Sequence, residues 1–218
     1  ALVLVWLDQS ETIKEKQMSL FSQGKDYIKL LFNKRFWCYS IILGFTAGSY
    51  FSFLTAAPVI SDEYFKISPS TQGFFFTSIG AGFLIGNFLT GKFSVRVGAD
   101  KLMFWGCLVS VIGPIIHFII FSNKEMQAID LFFPMFFVGL GNGLTLPNAT
   151  AGIVSGNPRM AGSASGLGST IQISIGGFIA FLTGYFISLQ TSPQAFSLIL
   201  FVAIIVSLIF SLVLLQKK

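Results

Sequence analysis

Six runs of apolar residues, roughly 36–60, 70–91, 102–122, 131–154, 161–188 and 195–215, dominate the chain. Each is long enough to cross a bilayer as a helix, which takes about 20 residues. A seventh piece, residues 1–7, reads as the tail of a further run. No ordinary soluble domain needs six consecutive segments of this length. The charge supply agrees: Asp, Glu, Lys and Arg make up 11% of the 218 residues, against about 25% in soluble domains. Such runs must be helical, because hydrocarbon offers no partner to an unpaired backbone N–H or C=O. A β-barrel needs shorter strands that alternate apolar and polar residues. The expected fold class is therefore all-α and integral to the membrane. Residues 1–7 are expected to end a preceding helix, 8–35 to form a central cytoplasmic loop, and 36–218 to form a six-helix bundle. No basic n-region with a cleavage site is found at the start, so no signal peptide is expected.

Basic residues assign the sides. With the first full span starting inside, Lys66 and Lys124 alone of the 14 Lys and Arg fall in outer segments. That asymmetry places residues 8–35, 92–101, 155–160 and the C-terminus in the cytoplasm. The net charge of +5 is then topology. Its spread over four segments makes no nucleic-acid footprint. Within 8–35, Tyr27, Ile28, Leu31 and Phe32 recur at helical spacing among lysines. The stretch reads either as an amphipathic helix on the inner surface or as a solvated linker. Cys38 and Cys107 lie near cytoplasmic ends, where thiols stay reduced, and read as packing residues.

Small residues recur four apart in four spans: Gly44/Gly48, Gly82/Gly86, Gly139/Gly143 and Gly162/Gly166. In lipid such pairs let helices approach closely. Pro69 after Ser68, and Pro193 after Ser192, read as helix starts, whereas Pro114, Pro134 and Pro147 are expected to kink their helices. No metal cluster, nucleophile–base set or phosphate loop is evident, so neither an enzyme nor a cofactor is expected. His117 is the one titratable group at depth and reads as structural. The uncharged polar residues Tyr50, Asn87, Asn142, Asn148 and Gln172 remain. An amide in hydrocarbon is costly unless bonded, so each bridges helices or lines a wet cavity.

Between the second and third runs lies Gly91-Lys92-Phe93-Ser94-Val95-Arg96-Val97-Gly98-Ala99-Asp100-Lys101. The spacing of Gly91, Arg96, Gly98 and Lys101 resembles the cytoplasmic loop signature of the major facilitator superfamily, which occurs once in each six-helix half. Leu7-Asp8-Gln9-Ser10-Glu11-Thr12 resembles the ending of that family's sixth helix. The stretches 143–150 and 161–166 resemble its tenth and eleventh helices in the drug-resistance branch, nearest the Bcr/CflA efflux group. The alignment spans essentially the whole chain as helices seven to twelve, the C-terminal half of a usual transporter. Val95 departs from the pattern, standing where the family carries an acidic residue that locks the cytoplasmic gate.

The resemblance implies a secondary active transporter, a multi-pass protein of the cell membrane, in bacteria the inner membrane. It implies proton-coupled efflux of drugs or other small molecules by alternating access, completed by an N-terminal six-helix half as partner. Gly91, Arg96, Gly98 and Lys101 would form the gating loop. Arg96 and Lys101 would pair with acids or lipid phosphates, or serve only as positive-inside anchors. The seventh helix lines the cavity in this family, which adds Phe53 to Tyr50, Asn142, Asn148 and Gln172 as candidate cavity residues. A metabolite importer of the same fold, or a truncated or split non-transporting remnant, are the alternatives.

Overall fold

The computed structural model describes residues 28–122, 126–156, 158–189 and 193–216. The apolar piece at 1–7, most of the 8–35 segment, Ser192 and the final two lysines lie outside the described residues. Among the described residues the main α-helices are, in chain order, α1 (Lys34–Ile60), α2 (Pro69–Val97), α3 (Ala99–Phe121), the short α4 (Ala128–Phe132), α5 (Met135–Ser155), α6 (Ala161–Ser188) and α7 (Pro193–Gln216). No strand occurs among the described residues. Among the described residues six helical stretches are long and apolar enough to cross a membrane, with α4 and α5 together making one, Ala128–Ser155. The fold is an all-α, multi-pass membrane bundle.

Local chemistry sets the ends. The Asn33 side chain caps α1, accepting from the backbone N–H of Arg35 at 3.0 Å and of Phe36 at 3.2 Å. α1 runs on through a π-helical turn, Ser61–Phe65, that ends at Lys66 in the left-handed region. Ser68 caps α2 through the Thr71 N–H at 3.2 Å, with Pro69 in the first turn. Gln127 and Asp130 form a capping box at α4, and Pro134 separates α4 from α5. Pro114 and Pro147 sit inside α3 and α5, which continue through them.

The charged stretch at 91–101 is almost wholly helical. α2 stays helical to Val97, α3 starts at Ala99, and Gly98 alone turns the chain, at φ +92°. Residues 92–97 still find i−4 carbonyls, so charge at a helix end is no reason to leave the helix. Gly98 donates to Ser94 O and accepts from Leu102 N–H. Its positive φ is a conformation that only glycine adopts freely.

α1 and α5 form the centre. α1 packs on α5, α6 and α7, and α5 packs on α1, α2 and α3. Within the most apolar windows of the spans, 67% of the α1 stretch is buried but only 22% of α2 and 17% of the α6 stretch. α2 and α6 therefore carry the largest unpartnered faces.

Glycine governs the close contacts. A Cβ on Gly82 would meet Phe136 O, and one on Gly86 would meet Leu140 O. Across the same seam a Cβ on Gly139 would meet Ile79 O, and one on Gly143 would meet Phe83 O. Two of the sequence pairs thus face each other and bring α2 and α5 together backbone to backbone. Gly44 and Gly48 receive Ile175 and Ile179 of α6. Gly162 and Gly166 differ: among the described residues nothing lies within 4 Å of a Cβ at either, so the fourth pair makes no close contact there.

Gly143→Val is expected to destabilise the protein by about 1–3 kcal/mol, the usual range for forced overpacking. Gly80→Ala, where a Cβ meets nothing within 4 Å, is expected to leave stability unchanged. Thermal unfolding in detergent compares the two; equal effects would contradict the packing described.

Candidate functional site

A cavity of about 390 Å³ opens among α1, α2, α5 and α6, a size within the usual range for small-molecule sites. Tyr50 and Phe51 of α1 and Phe76 and Phe83 of α2 supply an aromatic wall, while Asn142 of α5 and Gln172 of α6 add amides. Among the described residues no charged side chain lines it. The glycine seam explains the space: α2 and α5 touch through backbone, so their larger side chains splay to either side of the contact.

The candidate residues part company here. Tyr50, Asn142 and Gln172 share the cavity wall. Tyr50 is 37% exposed and Asn142 only 3%. Asn142 Nδ2 donates to Ser49 Oγ on α1 at 3.5 Å. Phe53 lies one turn further along α1 and does not line the cavity. It is fully buried against Phe76, Phe132 and Phe196, with ring centroids 4.9, 5.7 and 6.4 Å away, and it belongs to the core. Asn148 is also absent from the wall. Its Nδ2 donates to Leu144 O at 2.7 Å and to Thr90 Oγ1 at 3.4 Å, while Thr90 donates to Gly143 O at 3.0 Å. Asn148 therefore ties α5 to α2. Asn87 donates to Phe83 O on its own helix at 2.9 Å.

At the Gly98 end, Gly91, Arg96 and Lys101 are exposed, and Val95 is 93% exposed. The carboxylate that matters there is Asp100, 4% exposed in the first turn of α3. Tyr39 Oη donates to Asp100 Oδ1 at 2.6 Å, and Arg35 Nη2 reaches Oδ2 at 3.2 Å and Tyr39 Oη at 3.0 Å. Arg35–Asp100 is the salt bridge formed among the described residues. This cluster ties the start of α1 to the start of α3. Sequence reasoning passed over it by treating Asp100 as part of a loop. The signal was available: Arg35 and Tyr39 are four apart, on one helical face, and Asp100 opens an apolar helix at the same end.

His117 is buried and packs its ring on Phe121 at 5.1 Å, with Nε2 2.8 Å from Leu131 O. Cys38 and Cys107 are buried thiols. Among the described residues no three His, Cys, Asp or Glu side chains gather as a metal site.

A six-span bundle with Gly98 turning a basic segment between its second and third spans matches the family model described as Major Facilitator Superfamily, in overlapping matches over residues 1–181 and 39–218. The chain belongs to the Major Facilitator Superfamily. Among relatives of this superfamily chain is an "Uncharacterized transporter" of Rickettsia bellii, 29% identical over 178 residues, 74% of this chain and 43% of that protein. A "Bicyclomycin resistance protein homolog" of Haemophilus influenzae is 25% identical over 208 residues, 91% of this chain and 50% of that protein. A "Multidrug transporter MdfA" of Yersinia pestis is 26% identical over 111 residues, 50% of this chain and 27% of that protein. The chain thus spans about half the length, or less, of the curated relatives it matches. The superfamily and these relatives are transporters, not enzymes.

Asp100→Ala leaves the Tyr39 hydroxyl and the inner edge of Arg35 without their carboxylate. A loss of about 1–3 kcal/mol is expected, as for a buried hydrogen-bond partner removed from one side. Arg35→Gln, with its side chain 56% exposed, is expected to cost less than about 1 kcal/mol. Chemical denaturation in detergent reads the order, and a larger loss for Arg35→Gln would contradict it.

Proposed function

We propose that this chain is the C-terminal half of a proton-coupled exporter of drugs or other small amphiphilic molecules, working by alternating access. The observation that carries the reading is the cavity: about 390 Å³, walled by aromatics, lined by amides and a phenol, and without a charged side chain among the described residues. Such a wall suits solutes with an apolar body and a few polar groups. The names of the Haemophilus and Yersinia relatives, a bicyclomycin resistance homologue and a multidrug transporter, point the same way.

The unpartnered faces of α2 and α6 fit a partner, an N-terminal six-helix half closing the cavity from the opposite side. Solute would bind near the midplane, between halves that rock about it. Tyr50, Asn142 and Gln172 would touch the solute. Phe53 and Asn148 would hold the wall in place from behind. Gly91, Arg96, Gly98 and Lys101 would lie at the cytoplasmic gate, with the C-terminus on that side of a bacterial inner membrane. The described spans put no unpaired carboxylate at depth, so the proton carrier belongs to the partner half in this reading.

The test is reconstitution in proteoliposomes. Joined to a first six-helix half, the chain is expected to move ethidium when a pH gradient is imposed, and Tyr50→Ala to slow that flux roughly tenfold by removing an aromatic contact. The chain alone is expected to move none. Flux that ignores the pH gradient, or ethidium flux through the chain alone, would contradict the proposal.

A further inference from the structure

We propose that Thr90 is a positioning residue for transport. Its hydroxyl replaces the backbone hydrogen bond that Pro147 removes from α5, and so sets the angle of α5 where that helix leaves the cavity wall. The role in transport rests on the cavity being the solute site.

The argument begins at Pro147, which lies inside α5. Proline has no N–H and cannot close the i→i−4 bond of an α-helix. The carbonyl that loses its partner is that of Gly143, four residues back. Membrane helices tolerate a proline where a neighbouring helix or a Ser or Thr side chain satisfies the freed group. One side chain of α2 does both. Thr90, 8% exposed, donates from Oγ1 to Gly143 O at 3.0 Å. A carbonyl carries no proton, so the direction of this bond is fixed.

A threonine inside a helix can turn its hydroxyl onto its own i−4 carbonyl. Thr55, Thr150, Thr170 and Thr183 do so. Thr90 instead crosses to α5, and the glycine seam lets it, because Gly86 and Gly143 stand backbone to backbone. The next carbonyl of the same turn, Leu144 O, accepts from Asn148 Nδ2 at 2.7 Å, and that amide also reaches Thr90 Oγ1 at 3.4 Å. Side chains therefore hold the turn that Pro147 opens.

The place of this turn gives it a consequence. Asn142 and Leu146 line the cavity, and Pro147 follows directly. Beyond it α5 runs on to Gly152, which lies against the Tyr39 ring. A proline turn is where a helix changes direction. What holds it sets how the cavity wall stands relative to the segment beyond. In α5 that holder is α2, through Thr90, so a movement of α2 carries α5 with it.

The test separates this bond from general stability. Chemical denaturation in detergent reads the folding equilibrium constant. Thr90→Val is expected to lower it about tenfold, as for a buried acceptor left unpaired, and Thr90→Ser to stay within about twofold. Pro147→Ala restores an N–H for Gly143 O, so in that background Thr90→Val is expected to cost about twofold or less. If Thr90→Val alone does not fold, Pro147→Ala is expected to rescue it, and a double variant that also fails to fold overturns the inference. The angle of α5 is read in lipid nanodiscs as the distance between spin labels at Lys92→Cys and Ala151→Cys, both exposed, with Cys38 and Cys107 replaced by serine. Thr90→Val is expected to broaden that distance, which a merely stabilising contact would leave alone, and to weaken 9-aminoacridine binding roughly threefold. Thr90→Ser is expected to keep both. Equal losses from Thr90→Val with and without Pro147→Ala, or a distance and an acridine affinity that ignore Thr90→Val, overturn the inference and leave the cavity reading standing. Acridine binding that is absent from the unaltered chain overturns the cavity reading and the transport role of Thr90 with it.

Discussion

The backbone contact between α2 and α5 is the constraint on which the cavity and its polar ties depend. Lipid tails are as apolar as Leu or Phe, so helices in a bilayer are sorted by fit rather than by expulsion of water. Gly82 and Gly86 meet Gly139 and Gly143 with carbonyl oxygens where side chains would otherwise stand. At that separation short polar groups span the gap. Thr90 reaches Gly143 O, and Asn148 reaches Thr90. Any larger residue in the seam would part the helices and break both ties.

A second close pair is built the same way. α6 lies on α1, with Ile175 and Ile179 against Gly44 and Gly48, and Phe51 against Gly176. Ser52 and Thr183 hydrogen-bond across it at 2.7 Å. The cavity is the space left where these two pairs meet, which is why all four helices contribute to its wall. Its two ends are fixed differently. Towards the Lys66 end, Phe53, Phe132 and Phe196 form an aromatic core. Towards the Gly98 end, Asp100 binds α1 to α3 through Tyr39 and Arg35. The chemistry in between is left to uncharged groups, with Asn142 of α5 in contact with Ser49 of α1.

Much of this was legible beforehand, for identifiable reasons. Span number followed from run length, because a bilayer demands it. The superfamily followed from Gly91, Arg96, Gly98 and Lys101, because Gly98 must turn the chain between two helices. Three of the four glycine pairs make close contacts, but Gly162/Gly166 carries the same spacing and meets none of the described residues. Spacing marks a smooth face, and only tertiary packing says what meets it. Phe53 was grouped with Tyr50 because both lie on the run that resembles the cavity-lining seventh helix, and Asn148 with Asn142 because both are amides in an apolar run. Which side of the helix each one faces separates them, and uniformly apolar spans give no polar stripe from which to read that face. Asp100 was passed over because a charged stretch reads as a loop, whereas the structure carries the helices to within one residue of each other.

The central claim is that α1, α2, α5 and α6 enclose a solute site. The most direct measurement is labelling of Gln172→Cys by a membrane-impermeant maleimide, in a chain whose buried Cys38 and Cys107 are both replaced by serine. The account predicts faster labelling than at Phe178→Cys, on the outward, 60% exposed face of α6, and slowing of that labelling by 9-aminoacridine. Labelling no faster than at Phe178→Cys, or unchanged by the acridine, would contradict it.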